Sequence, residues 1–196
     1  GEVASEVEIS VSNGSETNAV KPVFKVTNTS SAPLDLTTLK LKYYYTSDGE
    51  EAQSFNCYYA GTTNGTYKAL TQNVAGEIKK LSPAGNNADN YILVTFNGGT
   101  LDAGQTMEVQ ASVNKENWQN YDQSNDYSYN SSNKVTAYAD NKLIWGTEPG
   151  EEVEVLDSKL NKNSISVDKA NLSDEVIGMT LNGNTFKDIT NLNKDV

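Results

Sequence analysis

The chain has no histidine and, read through, no arginine: all 15 basic residues are lysine. Those absences exclude His-based catalytic triads, His-ligated zinc and the two-pronged guanidinium grip on phosphate. Against 26 acidic residues the net charge is −11, so a phosphate backbone is repelled and nucleic acid is excluded as a partner. Anionic membrane surfaces are disfavoured for the same reason, and no apolar run approaches membrane-spanning length, so no membrane association is expected. Cysteine is nearly absent too. Cys57 stands alone, which rules out an intrachain disulfide and reads as a small buried hydrophobe rather than a reactive thiol. Gly1 reads as the start of a mature or excised segment. Ser, Thr, Asn, Gly and Tyr abound, a composition typical of secreted surface proteins.

A sustained helical period is also missing, and strand signals take its place. Alternation runs through Val7 to Val11 and Lys21 to Thr27. Leu39, Leu41, Tyr43 and Tyr45 can share one face while Lys40, Lys42 and Tyr44 share the other. Further strands are expected at 77–81, 91–96, 106–113, 134–138 and 142–145. Turn signals separate them: Asp48-Gly49, Asn64-Gly65, Asn97-Gly98-Gly99, Ala103-Gly104 and Asp140-Asn141. About eight or nine short strands with Gly and Asn turns indicate an all-β sandwich of jelly-roll type.

Composition breaks after Trp145, since all 11 tyrosines and both tryptophans lie at or before it. Gly146 to Glu152 reads as a linker. Beyond it, strand-like pieces lie around 165–167 and 176–181. Leu181-Asn182-Gly183-Asn184-Thr185-Phe186 reads as a hairpin centred on Asn-Gly. The 46 residues from Glu151 onward carry few apolar side chains, near the lower limit for independent folding. They look like the start of a second module.

The most telling run is W-Q-N-Y-D-Q-S-N-D-Y-S, Trp118 to Ser128. Its aromatics sit among amides and carboxylates with no apolar periodicity, so Trp118 is not a core residue. Exposed rings beside hydrogen-bonding groups suit a flat, neutral ligand rich in hydroxyls. In 106–113, Met107, Val109, Ala111 and Val113 should point inward and Glu108, Gln110 and Ser112 outward, toward the face carrying Trp118. A second aromatic group lies at Cys57-Tyr58-Tyr59-Ala60-Gly61, followed by Tyr67. Taken singly, such tyrosines either cover a core edge or join an interaction surface. One ring stacked on a sugar face removes about 50–80 Å² from water, stabilising by roughly 1–2 kcal/mol, so several rings are needed. A separate oxygen cluster comprises Thr46 and Asp48 from one turn and Asp122, Asn125 and Asp126 from another. Two such loops brought together can hold calcium, or they are ordinary turn residues.

These residues resemble family 3 carbohydrate-binding modules, the cellulose-binding modules of clostridial cellulosome scaffoldins and some cellulases. The matching segments occur in order. They are N-A-V-K-P-V-F-K-V-T-N-T at 18–29, K-Y-Y-Y-T-S-D-G at 42–49, N-G-T-Y at 64–67 and N-N-A-D-N-Y at 86–91. The run from Trp118, then V-T-A-Y and L-I-W-G-T-E-P-G, complete the match. The resemblance implies a nine-stranded jelly roll over 1–146, a structural Ca2+ held by Thr46, Asp48, Asp122, Asn125 and Asp126, and a planar cellulose-binding strip. At the third calcium position the family usually has Thr; a main-chain oxygen ligand would survive the change to Asp122.

The strip carries over to Tyr67, Trp118 and Tyr59, the last replacing the usual His. Tyr58 replaces the usual Asp and Ser112 the usual Arg, so the flat ion pair of the family is lost on both sides. Polar anchors map to Ser12, Asn18, Gln110 and Ser132. After a linker at 147–158, residues 159–196 resemble the opening of an X2 immunoglobulin-like module through S-V-D-K-A and T-L-N-G-N-T-F. The implied function is non-catalytic anchoring of a secreted scaffoldin to crystalline cellulose beside neighbouring scaffoldin modules. The alternatives are an accessory module of a family 9 cellulase and the polysaccharide-sensing ectodomain of an anti-sigma factor. No sequence pattern pairs two carboxylates across a cleft, so an enzyme is not expected.

Overall fold

The computed structural model describes residues 6–150, and the backbone of 175–180 and 182–185. In chain order the strands are β1 (Val7–Asn13), β2 (Pro22–Asn28), β3 (Leu34–Asp35), β4 (Leu39–Tyr45), β5 (Gln53–Thr62), β6 (Val74–Lys80) and β7 (Asn90–Phe96). They continue as β8 (Thr100–Leu101), β9 (Thr106–Lys115), β10 (Thr136–Ala139), β11 (Lys142–Trp145), β12 (Glu175–Thr180) and β13 (Asn182–Thr185). Nine of them form two facing antiparallel sheets, ordered β1-β2-β9-β5 and β11-β10-β4-β7-β6. β3 and β8 make a separate two-residue ladder. No α-helix occurs among the described residues. The architecture is the all-β jelly-roll sandwich that the alternating pattern indicated, with the nine strands that the resemblance implied.

The period-2 rule places the core. Met107, Val109, Ala111 and Val113 of β9 are at most 2% exposed, as are Leu39, Leu41, Tyr43 and Tyr45 of β4. With Val7, Ile9, Val11, Phe24, Val26, Ile92 and Val94 they fill the space between the sheets. Tyr43 Oη accepts from Asn13 Nδ2 at 2.9 Å, and Tyr45 Oη donates to Gln53 Oε1 at 2.7 Å, so the buried phenols keep partners. Burial pushes both phenols far above their ordinary pKa.

Several boundaries differ from the sequence pattern. β5 is absent from the expected strands, because its outward positions are aromatic or polar and a bulge interrupts its alternation. β6 begins at Val74, ahead of the expected Glu77. Tyr44 points away from the main core, as its parity requires, yet is 2% exposed because Ala88 and Tyr127 cover it, with Tyr91 and Leu81 packed alongside.

The chain clusters into two units, 1–149 and 150–196. In the second, β12 and β13 pair in parallel, with Gly183 opposite Met179. Asn182 and Gly183 are therefore strand residues, and the expected hairpin is not formed. The strand expected at 165–167 lies outside the described residues, as does the expected linker from residue 151 onward.

Candidate functional site

Register builds the first surface. On the outer face of the four-stranded sheet, Ser12 lies opposite Val23, Val23 opposite Gln110, and Gln110 opposite Tyr59. One row thus crosses all four strands. On β5 the register shifts between Cys57, opposite Ala111, and Tyr59, opposite Gln110, leaving Tyr58 as the extra residue of a bulge. A bulge re-aims side chains, and Tyr58 emerges 57% exposed. Beyond the far end of β9, Trp118 is held in the left-handed region at φ 60° by a turn in which its N–H donates to Lys115 O at 2.9 Å. That conformation is costly for a bulky residue and is a marker of functional sites.

Among the described residues the exposed large hydrophobics are Tyr58, Tyr67 at 60%, Trp118 at 54% and Leu143. The first three are spread along the β5–β9 pair: Trp118 follows β9, Tyr58 stands in the β5 bulge and Tyr67 reaches Gly61. From the Gln53–Lys115 pair near Trp118 to the Gly61–Glu108 pair below Tyr67 is seven residues, about 23 Å at strand rise. Tyr59 and Tyr67 share a hydroxyl–hydroxyl hydrogen bond at 3.1 Å. Gln110 Nε2 donates to Glu108 Oε2 at 2.7 Å, which fixes the amide on this face. Lys21 Nζ sits 5.3 Å from the Tyr58 ring centroid and pairs with Glu16 at 3.3 Å. The sequence gives no signal for that contact.

The remaining expected strip residues divide. Ser12 and Asn18 are exposed, on β1 and in the loop after it. Ser112 does not face solvent: it is 1% exposed, on the central strand β9 opposite Asn56, and its side chain is too short to reach the surface there. Ser132 Oγ accepts the Val11 N–H at 3.0 Å, closing the β1 edge, which is the edge of the sheet opposite β5. The other tyrosine group, on the outer face of the five-stranded sheet, is spoken for. Tyr44, Tyr91 and Tyr127 pack on one another, Tyr127 Oη donates to Thr147 O at 2.8 Å, and Tyr138 Oη donates to Glu148.

The second arrangement joins the β4–β5 turn to the long loop 116–135. Thr46 Oγ1 lies 2.7 Å from Asp126 Oδ1 and 3.2 Å from Asp48 Oδ1, so two carboxylates converge on one hydroxyl. Asp48 Oδ2 accepts the Asp122 N–H at 2.7 Å. Asp126 is 6% exposed and its Oδ2 is buried without a hydrogen-bond partner. Burial, and then the charges of Asp48 and Asp122, push the Asp126 carboxyl up to about 7, partly offset by the Thr46 hydrogen bonds. Asn125 is exposed on the same loop. Among the described residues no three His, Cys, Asp or Glu side chains gather tightly enough to hold a metal alone. A calcium shell built from two carboxylates, a hydroxyl, an amide and main-chain oxygens needs no such trio, and the orphaned Asp126 Oδ2 is the kind of atom it would use.

Between the two surfaces lies Lys115, which sequence reasoning missed. It is 2% exposed, donates to Asp48 O at 2.8 Å and Asn120 O at 3.4 Å, and lies 3.6 Å from Glu51. The signal was available: Lys115 continues the inward parity of Met107, Val109, Ala111 and Val113.

A jelly roll carrying exposed aromatic rings along one strand pair, with an acidic loop pair beside it, defines a polysaccharide-binding module. The comparisons make this specific: residues 6–146 match the family model described as cellulose binding domain, and the chain belongs to that family, whose modules bind without catalysing. Cellulosomal-scaffolding protein A of Acetivibrio thermocellus is 46% identical over 157 residues, covering 76% of this chain and 8% of that protein. Cellulose-binding protein A of Clostridium cellulovorans is 40% identical over 201 residues, covering 95% of this chain and 11% of that protein. A CBM3a domain with flanking linkers, from a cellulosome scaffoldin of Clostridium thermocellum, matches with TM-score 0.69 and 46% identity over 74% of this chain and 91% of that structure. The chain therefore spans a small fraction of these two full-length relatives.

Proposed function

We propose that residues 6–146 bind cellulose without catalysis and anchor a secreted, extracellular scaffoldin to it. The observation that carries this reading is the set of exposed rings along the β5–β9 pair, Trp118, Tyr58 and Tyr67, continued by Tyr59. Gln110, Ser12 and Asn18 supply hydrogen bonds to hydroxyls at its flank, while Ser112 and Ser132 take no part. Three stacked rings contribute about 4–6 kcal/mol, close to the low end of the association cost, so the polar groups and an already ordered ligand supply the rest. A crystalline glucan has its chains ordered before binding, which suits a rigid strip.

Calcium is the proposed structural ion, held by Thr46, Asp48, Asp122, Asn125 and Asp126. When bound it supplies positive charge that relieves the carboxylate repulsion and ties the β4–β5 turn to the loop bearing Trp118. The residues after the linker are proposed to begin an X2-like module, with other scaffoldin modules as neighbours in the complete protein. The test is depletion by microcrystalline cellulose of the parent and of a Tyr58/Tyr67/Trp118 triple alanine variant. The parent is depleted and the folded variant stays in solution; equal depletion of both would place the binding surface elsewhere.

A further inference from the structure

Tyr59 and Gly61 are two residues apart on β5 and point to the same face, Tyr59 opposite Gln110 and Gly61 opposite Glu108. The Tyr59 phenol does not stand off the sheet. A methyl group built on Gly61 would collide with the Tyr59 hydroxyl, come within 2.9 Å of Tyr59 Cζ and reach 3.0 Å from Tyr67 Oη. Both phenol ends therefore rest on the bare backbone of Gly61, joined by their 3.1 Å hydrogen bond. Gly61 is not in a left-handed conformation, so nothing in its backbone calls for glycine. In a strand, glycine is the weaker choice.

Tyr67 is brought there by a tightly bonded loop. Thr62 Oγ1 donates to Thr66 O at 3.1 Å and accepts the Lys68 N–H at 2.7 Å. Gln105 Nε2 donates to Asn64 O and Thr66 O at 2.9 and 2.8 Å. The two rings are thus fixed from separate elements, one from the strand and one from the loop.

We infer that Gly61 is a positioning residue: its missing side chain lets Tyr59 and Tyr67 lie down along the sheet as a two-ring platform that selects sugars with flat faces. This rests on the polysaccharide-binding reading and deepens it. A β-1,4-linked glucose carries all its hydroxyls equatorially, so its faces present only C–H groups to a ring. A β-1,4-linked mannose carries an axial 2-hydroxyl that lifts it from such a platform on one face. A lying pair of rings therefore favours glucan over mannan, and tilting them erases part of that preference. Consistent with the lying geometry, the Tyr59 phenol is pushed above its ordinary pKa, first by its hydrogen bond with Tyr67.

The experiment compares parent, Gly61→Ala and a Tyr59→Phe/Tyr67→Phe double variant, each by depletion on insoluble cellulose and insoluble mannan. The alanine variant is expected to bind cellulose about tenfold or more weakly, with a narrowed glucan-to-mannan ratio. Its melting temperature should be unchanged or higher, and its Tyr59 titration should move back toward the ordinary range. The double variant adds no atom and keeps the fold, so it remains informative should the alanine variant fail to fold. It loses the bond that pins the pair, and at least threefold weaker cellulose binding is expected. A folded alanine variant with parental affinity and selectivity overturns the inference, as does parental binding by the double variant. Failure of the parent to bind any glucan would instead overturn the underlying reading.

Discussion

Trp118 combines an exposed ring with a left-handed backbone, and the two properties respond differently to substitution. With 54% of the residue exposed, a flat ligand can cover about 50–80 Å² of one ring face. That removal from water corresponds to about 1.3–2 kcal/mol, or about a 10- to 30-fold change in affinity. Trp118→Ala and Trp118→Gly both delete the ring, so both should weaken cellulose binding by that factor and by the same amount. Their stabilities should not match. At φ 60° alanine keeps the left-handed strain and glycine relieves it. The ordinary order, alanine above glycine, should therefore invert by about 1 kcal/mol, seen as a melting temperature about 2–4 °C higher for the glycine variant. Depletion isotherms on cellulose and thermal melts on the same preparations read both quantities. Parental affinity in either folded variant would remove Trp118 from the surface. An alanine variant melting above the glycine variant would contradict the left-handed turn.

Further outcomes concern the loop pair. Saturating calcium at about 100 times its dissociation constant should stabilise the fold by about 2.7 kcal/mol, raising the melting temperature by about 5–10 °C, and a chelator should reverse it; a melt insensitive to both refutes the metal assignment. In chelator, the raised Asp126 pKa means the folded chain holds a proton the unfolded chain has lost, so stability from this group is complete below about pH 4 and declines as pH rises through about 7. Melts from about pH 5 to about pH 8 should show that decline, which calcium should offset and Asp126→Asn should flatten. Lys115→Met removes a buried ammonium from Asp48 O, Asn120 O and the nearby Glu51, and should cost about 2–3 kcal/mol by denaturant unfolding; a loss below about 0.5 kcal/mol would show that the ammonium is not needed there.

Much of this arrangement could be read from alternation. In β4 up to Tyr45 and in β9 from Met107 to Val113 every second residue is apolar and buried, although the C-terminal ends of both strands are covered on their other face as well. β5 was illegible because its inner positions, Phe55 and Cys57, are few and the bulge at Tyr58 changes parity midway. The two tyrosines are therefore not legible as strand residues, though the resemblance implies their place on a binding face. Parity also misled at Ser112. It predicts which way a side chain points, but not whether it clears its neighbours, and a serine on a central strand does not. Nothing in one dimension shows that Tyr59 lies over Gly61, or that Thr46 is shared by Asp48 and Asp126, since these pairings depend on loop paths set by distant hydrogen bonds. Lys115 is different. Its parity is legible, and only the usual exposure of lysine argues against an inward side chain.

The most direct measurement is a binding isotherm of the purified chain on microcrystalline cellulose, with soluble cello-oligosaccharide and insoluble xylan in parallel. The account predicts saturable depletion by cellulose and weaker interaction with single soluble chains, which lack a preordered face. Absence of depletion by cellulose, with the fold intact and calcium present, would contradict it.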